Sequence, residues 1–307
     1  MILTVCPCPC IDVNMEVDSL GVGRANKIIS KRTFYTGKAL NVAVGLARLN
    51  ARVFATGFMF EENGTHFEHE LHREGVPYKF VWNKGRASEN YSIIDNKSML
   101  TEFDDAGPEV CTEKKDELIS LVARMAGNCE CVVISGGLPN GINSDFYGEI
   151  IKAVPKSVAT VVDAEGDSLE EALKHGVRLV KPNLGELERT LGKKIATKQE
   201  ILAACGEVLD LGAQYVLLSL GKQGAVITDG SCNFYCKSVN VAMNSTVGAG
   251  DAMVAAAAGA LVKNAPLREI LCCGVAAGTA AVTQPESISF TKEKYEEILS
   301  NLSVKKF

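Results

Sequence analysis

Three features of the sequence predict an α/β chain with a three-layer α/β/α core, a mostly parallel sheet and a small antiparallel β lid. Apolar runs of strand length alternate with helical patterns through most of the 307 residues. Several runs are almost continuously apolar, as at Cys131–Ile134 and Val216–Ser219, which is the pattern of parallel strands covered on both faces. Two stretches break the rhythm with a period of two. Ile11, Val13, Met15 and Val17 alternate with Asp12, Asn14 and Glu16, and Tyr91–Phe103 alternates around an Asp95-Asn96-Lys97-Ser98 turn.

Met1–Val5 reads as the first strand. Ile11–Val17, Lys27–Tyr35 and the hairpin at 91–103 form the projecting sheet, whose bare face calls for a ligand, a partner subunit or both. Gly37–Asn50 is an amphipathic helix with Leu40, Ala43, Val44 and Ala47 on one side. Strand Val53–Gly57 and helices His66–Glu74 and Lys114–Ala126 follow. Next come strand Cys131–Ser135, helix Ser144–Val154, strand Thr160–Asp163, helix Leu169–Lys174 and strand Leu179–Lys181. Helix Lys198–Leu211, strand Tyr215–Ser219 and helices over 249–262 and 267–283 close the series; Lys305 and Lys306 read as a solvated tail. The core is expected over 1–10, 36–87 and 105–307, and the lid over 11–35 and 88–104. No repeat, low-complexity tract or linker interrupts them.

Composition narrows the function classes. With 47% hydrophobic and 22% charged residues the chain has the balance of an ordinary globular protein. A net charge of −5 gives no reason to expect a nucleic-acid surface or a polybasic membrane anchor. No apolar run reaches the roughly 18 residues of a membrane span, and the first dozen residues lack a positively charged leader pattern. Eleven cysteines in a large chain suggest free thiols in a reducing cytoplasm. Cys6, Cys8 and Cys10, Cys129 with Cys131, and Cys232 with Cys236 lack paired zinc spacing and read as small residues in tight positions. His66, His69 and His72 drift too far around a helix to share a ligand face, and Trp82 reads as packing.

The informative run is Asn244-Ser-Thr-Val-Gly-Ala-Gly-Asp251. Gly248 and Gly250 allow a tight turn that brings free amides together. The helix beginning near Ala249 adds its unpaired N–H groups and positive dipole end. Such a turn binds an anion, and a phosphoryl group in flight is its natural occupant. Asp251, in the first helical turn, can accept a proton from an incoming hydroxyl. A bare Gly-x-Gly-Asp is equally the start of an ordinary helix, so the surrounding residues decide.

This segment resembles the second signature of the ribokinase-like (PfkB) carbohydrate kinases. Thr36-Gly-Lys-Ala-Leu-Asn41 resembles the family's N-terminal glycine-lysine-asparagine signature, and Lys181-Pro-Asn-Leu-Gly-Glu186 its N-x-x-E motif. Ser135-Gly-Gly-Leu-Pro, Asp163-Ala-Glu-Gly and Ser219-Leu-Gly-Lys-Gln-Gly224 fall in family order, so the resemblance spans the chain. Pro9-Cys-Ile-Asp12 is most similar to the branch of 1-phosphofructokinases and tagatose-6-phosphate kinases.

The resemblance implies a ribokinase-like fold and ATP-dependent transfer to a sugar hydroxyl, with fructose 1-phosphate as first acceptor. Tagatose 6-phosphate, or an unphosphorylated ketose, polyol or modified sugar, is the alternative, and a sugar-binding regulator on the same fold a further one. It implies Asp251 as base with Gly248, Ala249 and Gly250 around the transferring group. Asp12, Gly37, Lys38, Asn41, Ser88 and Asn90 are expected on the acceptor. Lys181, Asn183, Glu186, Ser219, Gly221 and Gly224 are expected along ATP, with adenine near 274–290. Mg2+ would be held indirectly near Asn183 and Glu186, and the lid would pair two copies into a homodimer. There is no P-loop motif.

Three substitutions fall in the sugar pocket. Thr36 and Ala39 replace glycines, and Ser88 stands where the branch carries an arginine that grips the sugar phosphate. Glu89 adds a negative charge beside it, leaving Lys38, Arg24, Lys27 and Arg86 as cations for a phosphate. The Gly21-Val-Gly23 start of a dinucleotide fingerprint lacks its third glycine and its βαβ setting, which argues against an oxidoreductase. A nucleoside kinase of the same superfamily fits the Pro9–Asp12 and Gly37–Lys38 segments less well.

Overall fold

The computed structural model describes residues 1–242, 244–284 and 290–307. In chain order the strands are β1 (Ile2–Cys6), β2 (Cys10–Val17), β3 (Ile28–Thr36), β4 (Val53–Phe60), β5 (Tyr78–Asn83), β6 (Ser88–Ile94) and β7 (Leu100–Phe103). They continue with β8 (Cys131–Ser135), β9 (Ala159–Asp163), β10 (Val177–Val180), β11 (Ala213–Ser219), β12 (Ala225–Thr228), β13 (Asn233–Cys236) and β14 (Val304–Lys306).

The apolar strands do what their composition dictates: every residue of β1 and β8 is buried, because helices cover both faces. The large sheet runs β14-β13-β12-β11-β10-β9-β8-β1-β4-β5. It is parallel from β11 to β5 and antiparallel from β11 to β14. Strand β1 sits between β4 and β8, so the chain winds outward in one direction from β1 and then in the other. Open α/β sheets bind ligands at the carboxyl ends of strands beside such a reversal.

Helices Lys38–Arg48, Ala249–Val262 and Leu267–Ala281 pack in one row; Thr112–Ala126, Asp145–Ala153 and Gly166–Leu173 pack in another. Ala252 to Ala260 of the middle helix is wholly buried. Small side chains let its neighbours approach, and a Cβ on Gly278 would come within 3.2 Å of the Ala249 carbonyl oxygen.

The small sheet has the order β3-β2-β6-β7. Its outer pairs are antiparallel, and its central pair, β2 with β6, is parallel. Ile11, Val13 and Val17 are buried, and Tyr35 stacks on His66 with ring centroids 4.8 Å apart. Exposed Ile28, Ile29, Ile94, Met99, Leu100 and Phe103 all belong to this sheet or its turn.

At the C-terminus the structure corrects the sequence reading. Lys305 and Lys306 are no tail but part of β14, paired antiparallel with β13, and Phe307 packs near Tyr235. Edge strands are commonly short and lysine-rich, which hides them in a sequence. Strands β12 and β13 also escaped prediction, because four residues between turns show little periodicity.

Candidate active site

The predicted glycine turn forms at the carboxyl edge of the large sheet. Gly248 adopts φ 78°, a left-handed conformation open to glycine at little cost, and caps the helix Ala249–Val262. The Ala249 amide reaches Thr246 only at 3.4 Å; those of Gly250 and Asp251 meet no acceptor among the described residues. Two unpaired amides and one weakly paired amide at a helix N-terminus thus lie at a cleft of about 290 Å³ that Gly248, Gly250 and Asp251 help to line.

Asp251 lies in the third helical position and is 6% exposed. Asn41, on the packed helix Lys38–Arg48, donates from Nδ2 to Asp251 Oδ2 at 2.8 Å. Burial, reinforced by the charge of Asp163, pushes the Asp251 carboxyl up to about 6, against the pull of Asn41, Lys38 and Lys181. A carboxylate so poised is a competent base near neutral pH.

Asp163 ends β9 and is 2% exposed. Lys181, just beyond β10 and 4% exposed, places Nζ 3.1 Å from its Oδ1, and Lys38 Nζ lies 3.8 Å from Oδ2. Ser135, ending β8, donates to Oδ2 at 3.0 Å. Oδ1 takes no well-directed hydrogen bond among the described residues, so the contact with Lys181 is an ion pair first. Burial pushes the Asp163 carboxyl up, but Lys181, Lys38 and Ser135 hold it below its ordinary value. The Lys38 ammonium is correspondingly raised, chiefly by Asp163. A Cβ on Gly250 would be 3.4 Å from Lys181 Nζ, which places that ammonium beside the amide turn.

Asn183 and Glu186 form a capping box. The Asn183 side chain accepts from the Glu186 amide at 2.8 Å, and Glu186 Oε2 accepts from the Asn183 amide at 2.7 Å. The other Glu186 oxygen meets no protein donor among the described residues. Ser219 joins this edge by donating its amide to the Pro182 carbonyl at 3.0 Å.

At the opposite end stands Asp12 on β2, beside Asn90 on β6 in register and within 3.5 Å of its Nδ2. Thr36 Oγ1 donates to Asp12 Oδ2 at 2.8 Å. Ser88 is buried and pairs with Cys10 across the sheet.

Gly37, Lys38, Asn41, Lys181, Asn183, Glu186, Ser219, Gly248, Gly250 and Asp251 thus line one cleft, with Ala249 in its amide turn and Asp12, Ser88 and Asn90 adjoining. Gly221 and Gly224 do not line it. Gly224 has φ 99°, and a Cβ there would fall 2.0 Å from the Cys236 carbonyl, so close backbone passage accounts for this glycine. Thr36, which the sequence placed in the sugar pocket as a substitution, also lines the cleft, as do Asp163 and Cys10, which the sequence offered only as members of motifs. For Asp163 the available signal was an aspartate ending a buried, mostly apolar strand. A second cavity, about 660 Å³, is lined by Val239, Val241, Asn244, Thr283, Lys294 and neighbouring residues. Residues 285–289 of the expected adenine segment lie outside the described residues.

Among the described residues no helix is long and apolar enough to cross a membrane, and no three His, Cys, Asp or Glu side chains converge to cage a metal. The family model for pfkB family carbohydrate kinases matches residues 6–294. The tagatose-6-phosphate kinase of Staphylococcus epidermidis is 27% identical over 308 residues, covering 99% of each chain. Phosphofructokinase-2 from Escherichia coli in complex with potassium has a TM-score of 0.91 and 28% identity, covering 98% of each chain. The same enzyme in complex with fructose-6-phosphate has a TM-score of 0.88 and 27% identity over 98% of each chain. The family match takes in both ends of the cleft, so the chain belongs to the pfkB family of carbohydrate kinases and is an ATP-dependent sugar kinase.

Proposed function

We propose that the enzyme transfers the γ-phosphoryl group of ATP to a hydroxyl of a ketohexose phosphate, fructose 1-phosphate yielding fructose 1,6-bisphosphate. The observation that carries this reading is a buried, poised Asp251 at a helix N-terminus whose Gly250 and Asp251 amides are unpaired among the described residues and whose Ala249 amide is only weakly paired, with Lys38 and Lys181 lining the same cleft. Asp251 takes the proton of the acceptor hydroxyl as the new O–P bond forms and the bond to the β-phosphate oxygen breaks. The amides of Ala249, Gly250 and Asp251 receive the charge of the transferring group, which an apolar helix interior behind them leaves unscreened. Lys38 and Lys181, tied to Asp163, stand beside that group.

The capping box suits magnesium held through water, since Glu186 has one oxygen to spare and Mg2+ keeps much of its hydration. Held near Asn183 and Glu186 with the nucleotide, magnesium would supply charge neutralisation to the phosphates. Ser219 borders the phosphates, and adenine fits the larger cavity at Asn244 and Thr283.

Because Asp251 titrates at about 6, kcat/KM should rise with pH through that value as the base loses its proton. A profile without an acid limb between about pH 5 and about pH 7 would place the base elsewhere.

A second reading, an unphosphorylated ketose or polyol, is favoured by the charges at the acceptor end. Ser88 offers no cation, and the adjoining hollow contains Glu89, Asp104 and Asp105, with Arg86 already paired to Glu89. Turnover of ATP with fructose 1-phosphate, tagatose 6-phosphate, fructose and tagatose separates the readings. Fast turnover of either phosphate supports the first, and turnover of the free ketoses alone supports the second.

The exposed Ile28, Ile29, Ile94, Leu100 and Phe103 give the lid an apolar surface suited to a second copy. A cytoplasmic homodimer is expected. Ile29→Asp should lower the mass measured by light scattering to that of one chain; an unchanged mass would remove the lid from the interface.

A further inference from the structure

Thr36 ends β3, is 1% exposed as a residue and still contributes to the lining of the cleft. Its Oγ1 lies 2.8 Å from Asp12 Oδ2 and 3.3 Å from the Cys10 carbonyl oxygen. A hydroxyl has one proton, and the shorter, charge-assisted contact takes it, so Thr36 donates to Asp12. The Cys10 sulfur is 3.3 Å from the same hydroxyl oxygen and fills the space beside it. Asp12 Oδ1 has only long contacts, Asn90 Nδ2 at 3.5 Å and Cys10 Sγ at 3.8 Å. One carboxylate oxygen is therefore capped by the protein and the other is nearly free. With glycine or alanine at 36, both would be open to an acceptor.

We propose that Thr36 is a specificity-determining residue: its hydroxyl occupies the place of a second acceptor hydroxyl on Asp12. The site then selects sugars or polyols that present a single hydroxyl there, such as deoxy-ketoses, over those presenting an adjacent pair. This rests on the reading that Asp12 faces the acceptor. It holds whether or not that acceptor carries a phosphate, since Thr36 acts on hydroxyl count.

The test measures binding by titration calorimetry without ATP in an Asp251→Asn background, where turnover is greatly slowed, with fructose 1-phosphate, fructose and their 3-deoxy and 4-deoxy analogues. Turnover by the enzyme with intact Asp251 is measured in parallel. With Thr36 present, one deoxy analogue should bind at least as well as its parent. Thr36→Ala should shift the parent-to-deoxy affinity ratio toward the parent by about tenfold or more, the scale of one charge-assisted hydrogen bond. Thr36→Ser, which keeps the hydroxyl, should retain the original ratio, and both variants should keep the parent's melting temperature to within a few degrees. A ratio unmoved by Thr36→Ala, moved equally by Thr36→Ser, or no binding by any form overturns the proposal. Ratios that shift as expected while the intact enzyme phosphorylates none of the acceptors would leave Thr36 in its role and reject the acceptor reading instead.

Discussion

Asp251→Asn is expected to lower kcat by about 10²–10⁴-fold, the usual contribution of a positioned base. The amide turn and both lysines remain in the variant, so residual transfer above the uncatalysed rate should survive. KM for ATP should change little, because asparagine alters no group expected to hold the nucleotide. The variant should also be no less stable than the parent at pH 7. A carboxyl with a raised folded-state pKa binds its proton more tightly when folded, so its contribution to stability falls as pH rises from the ordinary aspartate range to about 6. Above that the full cost of burying the charge is present, and asparagine removes it. Urea unfolding at pH 7 and initial-rate kinetics together make the check. A stable variant with undiminished kcat would show that Asp251 is not the base, whereas an unfolded one would show that its main role is structural.

The part of the site written in contiguous residues was legible in the sequence. The turn at 244–251 is dictated by local backbone chemistry, two glycines and a helix start, and Asn183 and Glu186 sit three residues apart as a capping box requires. The alternation of apolar strands and helices likewise gave the parallel sheet away, because burial on both faces leaves β1 and β8 almost wholly apolar, with Thr4 and Ser135 the polar exceptions. What stayed hidden depends on strand neighbours far apart in the chain. Ser135, Asp163 and Lys181 meet only because β8, β9 and β10 lie side by side with their carboxyl ends level. Neither composition nor period says which strands will be adjacent. Thr36 stood out as a substitution, but its bond to Asp12 follows from the antiparallel register of β2 and β3, which pairs Cys10 with Thr36. The parallel pairing of β2 with β6 and the edge position of β14 are register facts of the same kind.

That hidden adjacency carries the second large effect. Asp163→Asn is expected to destabilise the protein by about 3–5 kcal/mol, the cost of leaving one member of a buried ion pair without its partner. Lys181 is the member at risk: it is 4% exposed and has Asp163 at 3.1 Å, whereas Lys38, about half exposed, can turn to water. Asparagine keeps the shape and can still accept from Ser135, so the loss reports charge and not a cavity. Asp163→Asn combined with Lys181→Met should recover part of the stability, because the stranded charge is then gone. The same variant tests the electrostatics of catalysis independently. Asp163 is the like charge that, after burial, raises Asp251, so its neutralisation should move the acid limb of kcat/KM below the parent's. A single variant with parental urea midpoint would mean that Lys181 is solvated without Asp163. A stability loss with an unmoved acid limb would mean that burial alone sets the pKa of the base. If both shifts occur together, Asp163 links the fold to the chemistry: it neutralises the lysine that the amide turn needs nearby and keeps the base from ionising too readily.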